Sequence, residues 1–135
     1  YLTRIVEFSA THRIRRADWP DARNEREFGR AARDHGHRYQ CRITVKGPLV
    51  AQAGGVMRLE TLDDVLAKEI TQRLDGQHIN QVLSEFGDGG RLATGEALAV
   101  WAWERVAPRL PEGVTLHAVR IQEGPHIYSE YFGET

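Results

Sequence analysis

Cysteine is nearly missing from this chain: Cys41 is the only one in 135 residues, so no internal disulfide can form. A disulfide-stapled secreted scaffold is thereby excluded. Lysine is nearly missing too, with Lys46 and Lys68 set against sixteen arginines. Neither sign of charge dominates: 18 basic and 19 acidic residues leave a net charge of −1. That balance argues against a globally cationic nucleic-acid binder and against a polybasic membrane-surface protein. No apolar run approaches the ~20 residues that a membrane-spanning helix needs. The opening YLTRIVEFSA alternates like a strand and lacks a signal-peptide layout. Cytoplasmic localisation is therefore expected, with neither nucleic acid nor membrane as partner. Internal repeats and low-complexity linkers are also lacking, and the length suits one domain over residues 1–135.

What is present falls into a simple order. Residues 2–12 read as a strand with Val6, Phe8, Ala10 and His12 on one face. Residues 13–34 hold seven arginines, Trp19-Pro20-Asp21 and Gly29, and form a long cationic loop with room for a short helix. Residues 35–46 are the strongest strand, with His35, His37, Tyr39, Cys41, Ile43 and Val45 sharing a face. The period places Cys41 in the core as a buried structural thiol. Gly47-Pro48 then turns the chain toward a weaker strand near 49–58. Thr61 and Asp64 make a capping box before Leu62, Val65, Leu66, Ile70 and Leu74. Thr94 caps a second helix, whose inward stripe is Leu98, Trp101, Ala102 and Val106 and which stops at Pro108. Strands near 114–123 and 126–132 close the domain. Strands grouped around two helices describe an α+β fold, with an antiparallel sheet and helices on one face.

The sharpest chemical signal is His35-Gly36-His37 at the head of a strand. Residues i and i+2 of a strand point the same way, so both imidazoles can meet one ion. His12 ends an apolar strand face and can supply a third ligand. Three imidazoles with an open fourth position describe a catalytic zinc site.

These segments resemble the 6-pyruvoyl-tetrahydropterin synthase family, which includes 6-carboxy-tetrahydropterin synthase. The resemblance rests on Phe8-Ser9-Ala10-Thr11-His12, Phe28-Gly29, His35-Gly36-His37-Arg38-Tyr39, Gly55-Val56-Met57, Leu74-Asp75, Ile79-Asn80, Thr94-Gly95-Glu96-Ala97-Leu98-Ala99 and Glu123. It implies the tunnelling fold: a four-stranded antiparallel sheet with two helices on one face, assembled into a homo-trimer or homo-hexamer. It further implies Zn2+ on His12, His35 and His37 and a small-molecule substrate, pterin-like or otherwise hydroxylated. By the same resemblance Glu123 holds the amino-pyrimidinone edge of the substrate, with Glu96 as a second binding candidate.

The family pattern also has a cysteine base and an Asp-His relay, and here the chain departs from it. Ala31 stands where the cysteine belongs, and Gly76 replaces the histidine after Asp75. Asp75, His78 and Asp34 are the candidate acid–base residues, with Glu27 and His126 behind them. Three readings follow. The first is a zinc-dependent lyase or cyclase with altered chemistry, in which the cationic loop can receive an anionic group of the substrate. The others are a 6-carboxy-tetrahydropterin synthase with a relocated base and a non-catalytic heterocycle-binding subunit.

Overall fold

The structure, a computed structural model, describes residues 1–52 and 54–134. Strand β1 is Leu2–His12 and is followed by helix α1, Asp21–Phe28, and a 3-10 turn over Gly29–Ala32. Strand β2 is His35–Lys46. Helix α2, Leu59–Leu66, runs through a π turn at Ala67–Thr71 into α3, Gln72–Leu74. Strand β3, Gln77–His78, and the single turn α4, Ile79–Val82, come next. Helix α5 is Gly95–Val106, and β4, Thr115–Gly124, and β5, Ile127–Tyr131, end the fold. The sheet order is β3-β1-β2-β4-β5, antiparallel throughout except that β3 lies parallel to β1. No helix among the described residues is long and apolar enough to cross a membrane.

One face of the sheet carries the core. Phe8 and Ala10 of β1, Tyr39, Cys41, Ile43 and Val45 of β2, and Val119 and Ile121 of β4 are buried beneath α2, α3 and α5. The helices contribute Leu62, Leu66, Ile70 and Leu74 from one side and Leu98, Trp101, Ala102 and Val106 from the other. Burying each large apolar side chain contributes about 1.5–3 kcal/mol. The four-residue spacing from Leu62 to Leu74 drifts around an ideal helix of 3.6 residues per turn. The π turn at Ala67–Thr71 widens the winding locally and holds the stripe against the sheet. Glu69 in that turn is buried, and Arg73, Arg105 and Arg109 meet its carboxylate at 3.4, 3.0 and 2.8 Å, which ties the turn to the end of α5.

Several expectations change in detail. The sheet has five strands rather than four, because two residues before α4 pair with Ala10 and Thr11. Two residues carry too little periodicity for a sequence pattern to reveal. Among the described residues of 49–58 no strand forms: a single bridge joins Val50 and Gly55, and Leu49 and Val50 stay exposed. Thr61 is not a cap. The Leu62 amide already bonds the Arg58 carbonyl at 3.3 Å, so α2 starts before Thr61 and no side chain caps it. Thr94 does cap α5, its Oγ1 accepting the Ala97 amide at 3.2 Å. Trp103 is half-buried and packs edge-on against Tyr131 at 5.3 Å.

Candidate metal centre and active site

The β1–β2 register places His12 directly opposite His35 and Ala10 opposite His37. Three imidazoles therefore converge at one end of the core-facing side. Their ring centroids lie 4.4 Å apart for His12 and His35, 5.2 Å for His12 and His37, and 4.9 Å for His35 and His37. One nitrogen from each lies within 4.8 Å of the others, a group that could hold a metal ion.

The hydrogen bonds around the cage fix its tautomers. His12 Nδ1–H donates to the Ala93 carbonyl at 2.8 Å, and His35 Nδ1–H donates to the Arg33 carbonyl at 2.7 Å. Each leaves an Nε2 lone pair, and that of His12 is buried with no partner in the protein. An orphaned buried lone pair is costly unless something occupies it, and ligating histidines characteristically donate their other nitrogen to a carbonyl. Burial, with smaller contributions from the other histidines, pushes His12 down to about 4, so it stays neutral. Burial and His35 lower His37 as well, against the opposing effect of a backbone hydrogen bond at Glu123. Neutral imidazole is the form that binds a metal, and the residues present fit a divalent ion of zinc's preference.

Glu123 sits at an irregularity of β4 between Gln122 and Gly124, where the ladder slips and the side chain is re-aimed. Burial first, and the neighbouring Glu96 carboxylate second, raise its carboxyl above the ordinary range. Glu96 itself is exposed in the first turn of α5 and accepts from Ser129 Oγ at 3.0 Å. Gly95 makes this close packing possible. A Cβ there would lie 2.8 Å from Ser129 Oγ and 3.4 Å from Glu123 Oε1. Glu7, His37, Gln40 and Glu123 line a cleft of about 530 Å³, inside the ~300–1,000 Å³ range of small-molecule sites.

The acid–base candidates separate. His78 Nε2–H donates to Asp34 Oδ1 at 3.0 Å, and this bond holds the Asp34 carboxyl below its usual range. With Nε2 as the donor, His78 Nδ1 is left as a buried lone pair without a partner. Asp75 does not join them: its Oδ1 accepts the Ser9 amide at 2.9 Å, a tie between the end of α3 and β1. Gly76 turns the chain with φ of +74° and leaves open space where a side chain would stand. Ala31 lies in the 3-10 turn, its carbonyl accepting from the Ile14 amide at 2.7 Å. Glu27 is exposed on α1, and His126 is exposed in the β4–β5 turn.

The cationic loop is largely neutralised within itself. Arg15 pairs with Asp21, Arg16 with Asp18, Arg33 with Glu25 and Arg13 with Asp88. Surface pairs of this kind contribute little to stability, but they leave less free charge for a ligand than the sequence suggests. Two contributors lie in segments that match the family pattern but are not among the expected site residues. Asn80 brackets Arg13 by accepting its amide at 2.9 Å and donating to its carbonyl at 3.1 Å, which fixes the chain leaving His12. Tyr39 walls the cage with its ring 5.9 Å from His12 and 5.4 Å from His37. Its place on the histidine face of β2 was the available signal.

Comparisons with known proteins bear on this arrangement. The family model described as 6-pyruvoyl tetrahydropterin synthase matches residues 1–134. The chain is 33% identical over 135 residues to a 6-pyruvoyl tetrahydrobiopterin synthase of Drosophila melanogaster, covering 98% of this chain and 79% of that protein. It is 25% identical over 119 residues to a dihydroneopterin monophosphate aldolase of Pyrococcus furiosus, covering 88% and 85%. The fold matches that of the Caenorhabditis elegans 6-pyruvoyl tetrahydropterin synthase structure with a TM-score of 0.89 at 24% identity, over 98% and 94% of the two chains.

Proposed function

Because this chain belongs to the 6-pyruvoyl tetrahydropterin synthase family, we propose that it is a zinc-dependent lyase that cleaves a carbon–carbon bond in the hydroxylated side chain of a dihydropterin. The carrying observation is the Asp34–His78 pair, 3.0 Å apart, in a chain with alanine at position 31 and glycine at 76. His12, His35 and His37 would hold the zinc ion, which supplies Lewis acidity to a side-chain hydroxyl. Glu123 takes the paired N–H groups of the amino-pyrimidinone edge, a two-point contact that a carboxylate accepts well. His78 Nδ1 takes the proton of the hydroxyl on the second side-chain carbon, while Asp34 holds the ring and stabilises the charge it gains. The bond between the first and second side-chain carbons then breaks. Its electrons enter the ring's conjugated C=N system, and the two-carbon fragment leaves as an aldehyde. The imidazolium returns its proton to the first carbon, leaving a hydroxymethyl group. A thiol at position 31 is not needed for this sequence, and the resemblance to a named aldolase supports it.

Assembly into a trimer or hexamer belongs to the same reading. β5 and β3 leave the two edges of the sheet unpaired in one chain, and such edges must be covered or joined. Light scattering is expected to return three or six copies.

The activity test incubates the zinc-loaded protein with dihydroneopterin, its monophosphate and its triphosphate, and analyses products by mass spectrometry. Release of a two-carbon aldehyde with a hydroxymethyl pterin is expected. Loss of triphosphate to give a pyruvoyl side chain at an ordinary enzymatic rate would overturn the proposal. Tight pterin binding without turnover of any substrate would instead support a binding subunit.

A further inference from the structure

The outer face of the sheet, opposite the histidine cage, carries an arrangement that the proposed reaction does not use. Arg42 of β2 and Arg120 of β4 stand directly opposite each other in the ladder. Like charges in that position repel. Glu130 relieves only Arg120, accepting from its Nε at 3.3 Å and its Nη2 at 3.2 Å, while Tyr128 lies under the same guanidinium at 4.0 Å. Arg42 has no carboxylate partner among the described residues, and its Nε is buried without an acceptor.

Thr3 and Thr44 stand beside this pair with their hydroxyls 2.7 Å apart. Only one of the two protons is used in that contact, so one hydroxyl remains free to donate outward. Thr3, Arg42, Thr44, Ala118, Arg120 and Glu130 enclose a cavity of about 190 Å³. That is below the ~300 Å³ at which drug-sized ligand sites begin, so a pterin is too large and a small ion is not. The charges facing the cavity sum to one positive, and every free donor is of the type that binds oxyanions. Guanidinium groups present forked donors matched to phosphate and carboxylate oxygens. Along β2, Arg42 is seven residues from His35, roughly 23 Å at the rise of a strand, so the site is separate from the cage.

We propose that Arg42 and Arg120, with Thr3 and Thr44, form an anion site that takes a phosphate-class oxyanion on the outer face of the sheet. The ion accepts from the orphaned Arg42 guanidinium and from the free edge of Arg120, and it removes the repulsion between them. Calorimetric titration of the zinc-loaded protein with inorganic phosphate, against chloride at matched ionic strength, tests the site. Saturable binding is expected in the parent protein, and Arg42→Gln is expected to weaken it about tenfold or more. Glu130→Gln removes the carboxylate facing the cavity and frees Arg120, so it is expected to tighten binding severalfold. A merely structural role for these residues would not produce that gain. If Arg42→Gln fails to fold, the direction of the Glu130→Gln change decides alone. Absence of saturable binding, binding in Arg42→Gln within twofold of the parent, or binding abolished by stripping the metal would each overturn the proposal. The last result would place the phosphate at the cage instead.

Discussion

His78 and Asp34 are separated by 44 positions in the chain, yet Nε2 of one lies 3.0 Å from Oδ1 of the other. Asp34 immediately precedes the first residue of β2, and His78 ends β3, so β1 between them sets the distance. His78→Asn is expected to lower turnover by about 10²–10⁴-fold, the usual contribution of a general base. Asp34→Asn keeps the ring's neighbour and loses its charge, so a smaller fall of about tenfold or more is expected. Zinc content should be unchanged in both. Equal turnover of parent and His78→Asn under single-turnover conditions would remove His78 from the reaction.

Metal content separates the cage from the rest of the site. One zinc per chain is expected in the parent protein by elemental analysis. His37→Ala should lose most of it while the far-ultraviolet spectrum is retained, because His37 is only partly buried and leaves no large cavity. A fully occupied metal site in His37→Ala would show that the ion is held elsewhere.

Ala31→Cys restores a thiol to the position where the family pattern has its base, and it is expected to raise elimination from dihydroneopterin triphosphate above a near-zero starting rate. Adding Gly76→His supplies the relay, and the open space there admits the side chain. The backbone is less accommodating: at φ of +74° a non-glycine residue costs about 1 kcal/mol or more. A lower melting temperature is therefore expected in the double variant than in Ala31→Cys. No gain in elimination from either variant would mean that position 31 does not reach the substrate.

Cys41 is fully buried, and burial pushes its thiol up to about 12. At pH 8 the thiolate fraction is negligible and the side chain is shielded from solvent, so a disulfide reagent should label the folded protein only at its rate of opening. Stoichiometric labelling is expected in denaturant. Rapid labelling of the native protein, or loss of turnover in the near-isosteric Cys41→Ser with the fold intact, would contradict a structural role.

The site and the sheet were legible to different degrees. Alternation along His35, His37, Tyr39, Cys41, Ile43 and Val45 located β2 and its inward face, since a single phase error would have buried Arg38 and Arg42 instead. Thr94 was legible because its cap is local, satisfied three residues on by the Ala97 amide. Thr61 shows the limit of the same signal. The stripe Leu62, Leu66, Ile70 and Leu74 decides where α2 lies, and the helix extends past a polar residue that offers a cap it does not need. The pairing of Asp34 with His78 could not be read because it depends on β3, whose two residues carry no pattern. Both residues stood among the candidates, but Asp75 stood with them, and the pattern alone does not show that its Oδ1 is taken by the Ser9 amide while the other two pair.

The register of β1 against β2 has a consequence for the order in which the molecule comes together. All three cage histidines belong to that one pairing, which needs only the loop over residues 13–34 to close. Glu123 reaches the site on β4, where Gln122 must find Gln40 after most of the chain has been laid down. Ring closures over longer spans cost more entropy and arrive later. Residues 1–46 are therefore expected to bring the three histidines into register before the cleft gains its second wall. Only the Ala93 carbonyl, which orients His12, is left to arrive with the later half. The candidate metal cage and the carboxylate proposed to anchor the substrate are expected to form at different stages of folding.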